Sequence, residues 1–378
     1  LHEIEWDAEA AEKGGFEHFM MKEIHEQPEA LEKTLASRRP RITGDCSWLP
    51  VSREEARRLK RIIIAGCGTA CHAGMIGRYV IEQLARVPVD VEIASEYRYR
   101  DPVIGMEELF IAISQSGETA DTLAAVREAK RRGARVIAIC NVVGSTLARE
   151  AGERGTLYTY AGPEIAVAST KAYITQVEMM LLLAIALGQL RGTLADERAE
   201  ELYRGLEALP DLAALALKAE QPLQRFASVV SQKKHVFFVG RGLDYALSME
   251  AALKLKEISY IFSEAYAAGE LKHGPIALLK SGRLVVATVT QSALLEKTLS
   301  NLQEVTARGA AVLAICPESL ANRVRSIAAE VITIPDADDL LTPLLAVIPL
   351  QLFAYCMAVA RGCDVDKPRN LAKSVTVE

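Results

Sequence analysis

The sequence predicts an α/β protein built from two homologous domains, each with a parallel β-sheet covered by helices on both faces. Short runs rich in Val, Ile and Leu alternate with helical stretches along most of the chain, which is the pattern of βαβ units. The alternation occurs twice, and 378 residues suffice for two or three domains of about 150 residues each. Half of the residues are hydrophobic and a quarter are charged, as in folded globular proteins.

An internal duplication divides the chain, because matched segments recur 174 to 176 residues apart. The matched pairs are Arg61–Ala65 with His235–Val239, Gly66-Cys67-Gly68 with Gly240-Arg241-Gly242, Arg132–Cys140 with Arg308–Cys316, and Ser114-Gln115-Ser116 with Thr290-Gln291-Ser292. Ligands of open parallel sheets bind beyond the carboxyl ends of the strands. A functional site is therefore expected in the loops that follow these apolar runs.

The repeat and the flanking composition predict four segments. They are a helical leader (1–50), a first domain with the phosphate loop (51–210), a second domain (225–365) and a C-terminal tail (366–378). The leader contains a helical stretch, Phe16–Leu35, that belongs to neither copy, and the charged helical stretch Glu197–Gln224 connects the two copies.

Charge and cysteine content argue against several classes of protein. A net charge of −5 gives no basic face for nucleic acid or for an anionic membrane surface. The seven cysteines form no CxxC pair, which favours reduced thiols in a cytoplasmic protein over a disulfide framework or a metal site. The first residues do not have the form of a signal peptide.

One uncharged stretch of 21 residues, Leu340–Ala360, has the length of a membrane span. It contains two prolines and two polar residues, and we expect no similar segment elsewhere in the chain. A buried helix of an α/β domain is therefore the better interpretation, and no membrane partner is expected.

The segment Ser114-Gln115-Ser116-Gly117-Glu118-Thr119 lies between a predicted strand and a predicted helix. Three hydroxyls, a glycine and the positive end of a helix together form a suitable cradle for a phosphate group. The alternative is that these hydroxyls only cap the helix, since Ser and Thr are common at that position. Their number and their place at the carboxyl edge of the sheet favour phosphate binding.

Two further loops carry weaker signals. Gly66–Cys71 resembles the start of a dinucleotide fingerprint, but Cys71 stands where the third glycine is required, so a dinucleotide-dependent oxidoreductase is disfavoured. This turn either lines the same pocket or serves only to pack the chain. Ala168-Ser169-Thr170-Lys171 adds hydroxyls at another helix start, where they would also serve as a cap.

The second copy contributes acid and base groups. Glu250, Lys254 and Glu257 share one helical face, which by itself predicts a surface ion-pair ladder. The segment Gly269–Pro275 places Glu270, Lys272 and His273 between glycines, as a mobile acid/base loop would. The polar composition of the tail Lys367–Glu378 predicts a solvated chain end. Residue chemistry alone gives Lys373 no role.

Taken together, these segments resemble the glutamine:fructose-6-phosphate amidotransferases, or glucosamine-6-phosphate synthases. The strings that carry the resemblance are SQSGETADTL (114–123), AVASTKAY (166–173), LKLKEISY (253–260), EAYAAGELKHGP (264–275) and PRNLAKSVTVE (368–378), with HFMMKEIHEQP (18–28) in the leader. The resemblance covers essentially the whole chain, but nothing here matches the family's N-terminal glutaminase domain.

The resemblance implies two flavodoxin-like, three-layer sugar-isomerase (SIS) domains in a homodimer, with no cofactor. It implies conversion of fructose 6-phosphate to glucosamine 6-phosphate with ammonia from a glutaminase domain, and exchange with glucose 6-phosphate without ammonia. The alternative is a sugar-phosphate sensor of the same fold that binds without reacting.

The resemblance also assigns roles to individual residues. Glu257 would move a proton between C1 and C2, and His273 of a neighbouring subunit would assist ring opening. The tail 366–378 would close the active site, and its Lys373 would form an imine with the open-chain ketose. The residues implied to bind the substrate are Cys67, Gly68, Thr69, Ser114, Gln115, Ser116, Thr119, Val167, Ser169 and Lys254. Two positions depart from the family pattern, since Ala70 stands where a serine is usual and Phe262 where a histidine is common. We therefore expect one phosphate hydroxyl to be missing.

Overall fold

The computed structural model describes residues 13–39 and 45–377, and the first copy in it is a five-stranded parallel sheet. Its strand order is β2-β1-β3-β4-β5, the order of flavodoxin-like folds. The elements are β1 (Arg61–Gly66), α4 (Thr69–Ala85), β2 (Val89–Ile93), α5 (Ala94–Tyr97), β3 (Glu108–Ser114), α6 (Ala120–Arg131), β4 (Arg135–Cys140), α7 (Thr146–Ala151), β5 (Thr156–Tyr158) and α8 (Lys171–Arg191).

The second copy repeats this plan with the strand order β7-β6-β8-β9-β10, again all parallel. Its elements are β6 (His235–Gly240), α11 (Leu243–Ser259), β7 (Phe262–Ala267), β8 (Leu284–Thr288), α12 (Leu295–Thr306), β9 (Ala311–Pro317), α13 (Ala321–Arg325), β10 (Glu330–Ile334) and α14 (Thr342–Val359). The turns after the first strands match closely, since Gly68 has φ 52° and ψ −124° and Gly242 has φ 58° and ψ −125°. The predicted α/β class with two duplicated parallel sheets is confirmed.

The remaining helices lie outside the two sheets. They are α1 (Phe19–His25) and α2 (Gln27–Ala36) in the leader, α3 (Arg53–Arg58) before the first strand, and α9 (Asp196–Ala216) and α10 (Glu220–Val230) between the copies. Helix α2 packs on α8 and α9, and α1 packs on α14, so the leader is part of the fold.

Two helices, α8 and α14, are long and apolar enough to cross a membrane. Every residue of the most apolar window of α8 and 94% of that of α14 are buried inside the protein. The structure therefore places Leu340–Ala360 as a core helix, as predicted. The expectation that no similar segment occurs elsewhere was wrong, because α8 is a second long apolar helix. Its charged residues occur only at its two ends and at Glu178.

The two copies meet through α4 and α11, the first helix of each repeat. Helix α8 covers α4, and α14 covers α11, so both contact helices are held between a sheet and an apolar helix. Side chains that project from α11 past this contact reach the carboxyl edge of the first sheet. The duplication thus places residues of the second copy against the loops of the first.

Candidate functional site

A cavity of about 280 Å³ lies at the carboxyl edge of the first sheet, where α4 and α6 begin. Five stretches of chain contribute to its wall: the turn after β1, the loop after β3, the loop before α8, helix α11 and the C-terminal tail. The lining residues include Cys67, Gly68, Thr69, Ala70, Ser114, Gln115, Ser116, Thr119, Val167, Ser169, Lys254, Glu257 and Lys373. Every predicted site residue except His273 therefore lines one cavity.

The loop after β3 presents hydroxyl groups at the start of α6. Ser114 Oγ accepts a hydrogen bond from Gly117 N (3.0 Å), and Ser116 Oγ accepts one from Glu118 N (3.2 Å). Each serine also contacts another hydroxyl, Ser114 with Thr119 (3.3 Å) and Ser116 with Ser374 (3.0 Å). One hydrogen serves each of these pairs, so the other is left to donate to an anion. Thr119 is the N-cap residue of α6, but its side chain makes no capping bond. Capping alone therefore does not account for the three hydroxyls.

Gly117 holds the loop in a conformation that other residues adopt only under strain. Its φ is +67°, and a Cβ atom at this position would lie 2.2 Å from Ser145 Oγ. The loop can therefore approach Ser145, at the start of α7, only because residue 117 has no side chain.

We predict that Gly117→Ala lowers the affinity for phosphate and for fructose 6-phosphate by about tenfold or more, because the left-handed backbone costs about 1–2 kcal/mol and the clash moves the loop. Calorimetric titration of the purified variant measures this affinity. Gly192→Ala is the matched control, since Gly192 has φ +75° but no atom within 4 Å of the added Cβ. Equal affinity of the two variants would contradict the assignment of this loop.

The equivalent loop of the second copy is occupied by the protein's own carboxylates. Asp244 accepts hydrogen bonds from Thr290 N (2.8 Å) and Thr290 Oγ1 (2.5 Å). Asp339 accepts from Ser292 N (2.9 Å) and Ser292 Oγ (2.6 Å). Burial raises the pKa of Asp244 to about 6, against the hydrogen bonds from Thr290. The duplicated loop is thus filled, whereas the loop of the first copy borders the open cavity.

Lys254 is a buried cation on α11 that lines the cavity. Its Nζ atom lies 2.7 Å from Glu257 Oε2 and 3.4 Å from Glu250 Oε1, and it donates to Thr69 Oγ1 at 3.0 Å. Burial alone would lower the pKa of Lys254, but the Glu257 and Glu250 carboxylates raise it above its ordinary value. Lys254 is therefore a fixed positive charge, unsuited to act as a nucleophile.

Glu250 fixes this arrangement from the side away from the cavity. Its side chain is completely buried and accepts from Thr69 Oγ1 (3.0 Å) and contacts His72 Nδ1 (2.8 Å). The surface ladder predicted from spacing alone is therefore wrong for Glu250 and Lys254, because α4 of the first copy buries this face of α11. Sequence analysis also missed His72, which lies one turn after the turn at Gly68.

Glu257 is the carboxylate that faces the cavity most freely. Its side chain is 21% exposed and lines the cavity, and its Oε2 atom lies 2.7 Å from Lys254 Nζ. A carboxylate in this position can accept a proton from a bound molecule.

The C-terminal tail lies across the cavity instead of extending into solvent, contrary to what its composition predicts. Ala120 N donates to Val375 O (3.1 Å), and Ser116 and Ser374 hydroxyls are 3.0 Å apart. The tail is therefore bonded to the phosphate loop itself, next to Lys373.

Lys373 donates to Glu164 Oε2 at 2.6 Å and to the carbonyl of Ala166 at 2.8 Å. Glu164 is fully buried and also accepts from Ser169 Oγ (3.0 Å) and from the N–H groups of Thr170 and Ala172. Burial opposes ionisation of Glu164, but the Lys373 ammonium and these N–H groups hold its pKa below the ordinary value.

Sequence analysis missed Glu164, although one signal was present. It is the only charged residue between Arg154 and Lys171, in a stretch that is otherwise apolar or uncharged. An isolated charge of this kind requires a partner, because burying it alone is costly.

Of three further residues singled out in the sequence, two lie outside the cavity and one lines it. His273 is exposed at the end of the 3₁₀ turn Ala268–His273, outside the cavity of its own chain. Phe262 is 60% exposed at the start of β7, against the ring of His235, and so has no contact with the cavity. Ala70 does line the cavity, so of the two departures only this one removes a hydroxyl from its wall.

Comparison with known proteins agrees with this geometry. The sequence profile of the SIS domain matches residues 57–186 and 229–361, one match for each sheet. The chain belongs to the SIS-domain family. Its two SIS domains are the two copies inferred from the internal repeat, and the α4–α11 contact joins them.

Among solved structures, the pair of SIS domains is similar to the C-terminal domain of glucosamine-fructose-6-phosphate aminotransferase from Francisella tularensis. The TM-score is 0.89 at 41% identity, over 94% of this chain and 100% of that one. Curated relatives include glutamine–fructose-6-phosphate aminotransferases (isomerizing) from Clostridium tetani, 54% identical over 100% of this chain, and Symbiobacterium thermophilum, 56% identical over 99%. The chain spans 62% and 61% of their lengths. The family resemblance predicted from the motifs is confirmed.

Proposed function

We propose that this chain converts fructose 6-phosphate to glucosamine 6-phosphate with ammonia, and interconverts fructose and glucose 6-phosphates when ammonia is absent. The observation that carries the proposal is one cavity that combines a cradle suited to phosphate, the carboxylate of Glu257 paired with the buried Lys254, and Lys373 in reach of the buried Glu164. The relatives named above are called fructose-6-phosphate aminotransferases, which supports the choice of sugar phosphate and of reaction.

The phosphate group would occupy the loop Ser114–Thr119, where the positive end of α6 and the hydroxyl donors favour an anion. A phosphate bound there leaves the sugar carbons between α11 and the tail. Cys67, Thr69, Val167 and Ser169 would line the sugar, since they border the same space. No cofactor takes part in the proposed chemistry.

Lys373 would bind the open-chain ketose. The ammonium first gives a proton to Glu164, and the neutral amine then attacks the C2 carbonyl. A C–N bond forms, the carbonyl oxygen leaves as water after taking up protons, and a protonated imine remains. Ammonia displaces Lys373 at C2 to give the sugar imine. Lys254 stays charged between its two carboxylates and can hold the sugar oxygens.

Glu257 would then take a proton from C1 and return it to C2, which converts the ketose imine into an amino aldose. A carboxylate suits this step because the same group both accepts and releases the proton. Glu257 lines the cavity next to the fixed charge of Lys254. That charge stabilises the anionic character that develops on the substrate.

We further propose that the working form is a cytoplasmic homodimer in which His273 of a second copy reaches the cavity and assists ring opening. The exposed position of His273, outside its own cavity, supports this arrangement. A glutaminase domain would supply ammonia, consistent with relatives longer than this chain. Seven free cysteines suit a reducing compartment.

Incubation of the purified chain with fructose 6-phosphate and ammonium chloride tests the proposed activity, with mass spectrometry of the products. We expect glucosamine 6-phosphate from ammonia and none from glutamine. A sensor of the same fold would bind fructose 6-phosphate, form no product and keep its affinity in Lys373→Ala. That outcome would overturn the proposal.

A further inference from the structure

Glu23 is a buried carboxyl group that the leader places directly behind the Lys373 site. It lies on α1, outside both SIS-domain matches, and only 2% of the residue is exposed. Its Oε1 atom accepts from Ile165 N (2.5 Å) and from Ala166 N (3.2 Å). These N–H groups belong to the segment whose Ala166 carbonyl and Glu164 carboxylate hold Lys373.

The segment 164–166 is therefore held from both sides. The leader holds its backbone N–H groups through Glu23, and the tail holds its acceptors through Lys373. A shift of the segment away from Glu23 would move both partners of Lys373 together. Helix α1 is itself fixed next to the tail, because Asp366 accepts from the N–H groups of Phe19 (2.9 Å) and Met20 (2.8 Å).

The second oxygen of Glu23 points to a charge-dependent role. Among the described residues, Glu23 Oε2 is buried without a hydrogen-bond partner, which is costly for a carboxylate and much less so for a protonated acid. Burial, and then the nearby Glu164 carboxylate, raise the pKa of Glu23 to about 8, against the lowering effect of Lys373. At neutral pH the group of Glu23, Glu164 and Lys373 then carries one negative and one positive charge.

We propose that Glu23 is a positioning residue for Lys373: as a neutral acid it holds the segment that binds the lysine, and its ionisation stops imine formation. The inference rests on the proposed function, in which Lys373 must release a proton to Glu164. Ionised Glu23 would place a second negative charge beside Glu164, and repulsion between the two carboxylates would displace the segment that holds Lys373.

The other charged groups around α1 already have partners within the described structure. They are His18 with Tyr355, Lys22 and Lys171 with Glu26, His25 with Glu220, Lys33 with Glu29, and Asp366 with two backbone N–H groups. The charged groups that act on the ionisation of Glu23 are Glu164 and Lys373, and the hydrogen bonds from Ile165 N and Ala166 N favour its carboxylate form.

The pH dependence of kcat in Glu23→Gln tests the proposal. The amide oxygen can still accept from Ile165 N and Ala166 N, but the side chain cannot ionise. We expect near-normal kcat at pH 7, a loss of activity above about pH 8 in the unchanged chain, and no such loss in the variant. Glu29→Gln is the control, since Glu29 is an exposed leader carboxylate paired with Lys33, and it should keep the unchanged profile. An alkaline limb identical in Glu23→Gln and the unchanged chain would overturn the proposal.

A second variant separates positioning from charge. Glu23→Ala leaves two N–H groups unpaired, and we expect kcat to fall by about tenfold while KM for fructose 6-phosphate changes little. An unchanged kcat would refute the positioning role.

Carbon-13 NMR of labelled glutamate carboxyls in the unchanged chain gives a readout that needs no turnover. A carboxyl that titrates near pH 8 and disappears in Glu23→Gln supports the proposed ionisation even if the chain forms no product; its absence contradicts it.

Discussion

Glu257→Gln is expected to reduce turnover of fructose 6-phosphate by about 10²- to 10⁴-fold, the contribution typical of a positioned general base. The amide has the shape of the carboxylate but cannot take up the C1 proton. Substrate binding should persist, because the phosphate loop is built from the first copy and Lys254 keeps Glu250 as a partner at 3.4 Å. The loss should therefore appear in kcat and much less in KM.

Steady-state kinetics of the variant, with product quantified by mass spectrometry, measure this effect. Glu296→Gln is the matched control in the second copy, where an exposed glutamate pairs with Arg323. It should leave turnover unchanged. Wild-type kcat in Glu257→Gln would show that a group other than Glu257 moves the proton.

Lys373→Ala is expected to lower turnover by about a thousandfold or more, since it removes the proposed nucleophile. The remaining lysine of the cavity cannot replace it. Lys254 is held between two carboxylates that keep it charged, whereas Lys373 is 25% exposed on a tail and is paired with one carboxylate, Glu164. The two lysines thus have different roles that follow from their different surroundings.

Borohydride reduction in the presence of fructose 6-phosphate tests the same role of Lys373, because it converts the proposed imine into a stable covalent product. The reduced imine should add the sugar to the peptide that contains Lys373, and Lys373→Ala should abolish labelling. Lys367→Ala, in an exposed position of the same tail, is the control and should keep both labelling and turnover. Labelling of Lys254, or none at all under turnover conditions, would contradict the assignment.

The sequence predicted those parts of the molecule that depend on local pattern. Apolar runs predicted three strands of each sheet, glycines after the first run predicted its turn, and a repeat offset of about 175 residues predicted the duplication. The edge strands β2, β5, β7 and β10 were not predicted. The phosphate loop could be recognised because its hydroxyls, its glycine and its helix start are contiguous in the chain. The lysine in the tail could not be assigned from its own residues, and only the family resemblance gave it a role.

The rest of the site depends on contacts between distant segments. Glu23, Glu164 and Lys373 come from the leader, the loop before α8 and the tail, so no local pattern relates them. The same is true of Asp244, whose carboxylate fills the second copy's loop and removes the symmetry that the repeat predicts. The face of α11 was misjudged as a surface because spacing describes which residues share a face, but not what packs against it.

The central claim is that one cavity binds fructose 6-phosphate and moves a proton between its first two carbons. NMR spectroscopy of the purified chain with fructose 6-phosphate in D₂O, without ammonia, tests this most directly. We predict that glucose 6-phosphate appears, with deuterium at C2 in those turnovers in which the proton on Glu257 exchanges with solvent, and that Glu257→Gln forms no glucose 6-phosphate. Fructose 6-phosphate that binds to the chain yet stays unchanged, with no deuterium taken up at C1 or C2, would contradict the account.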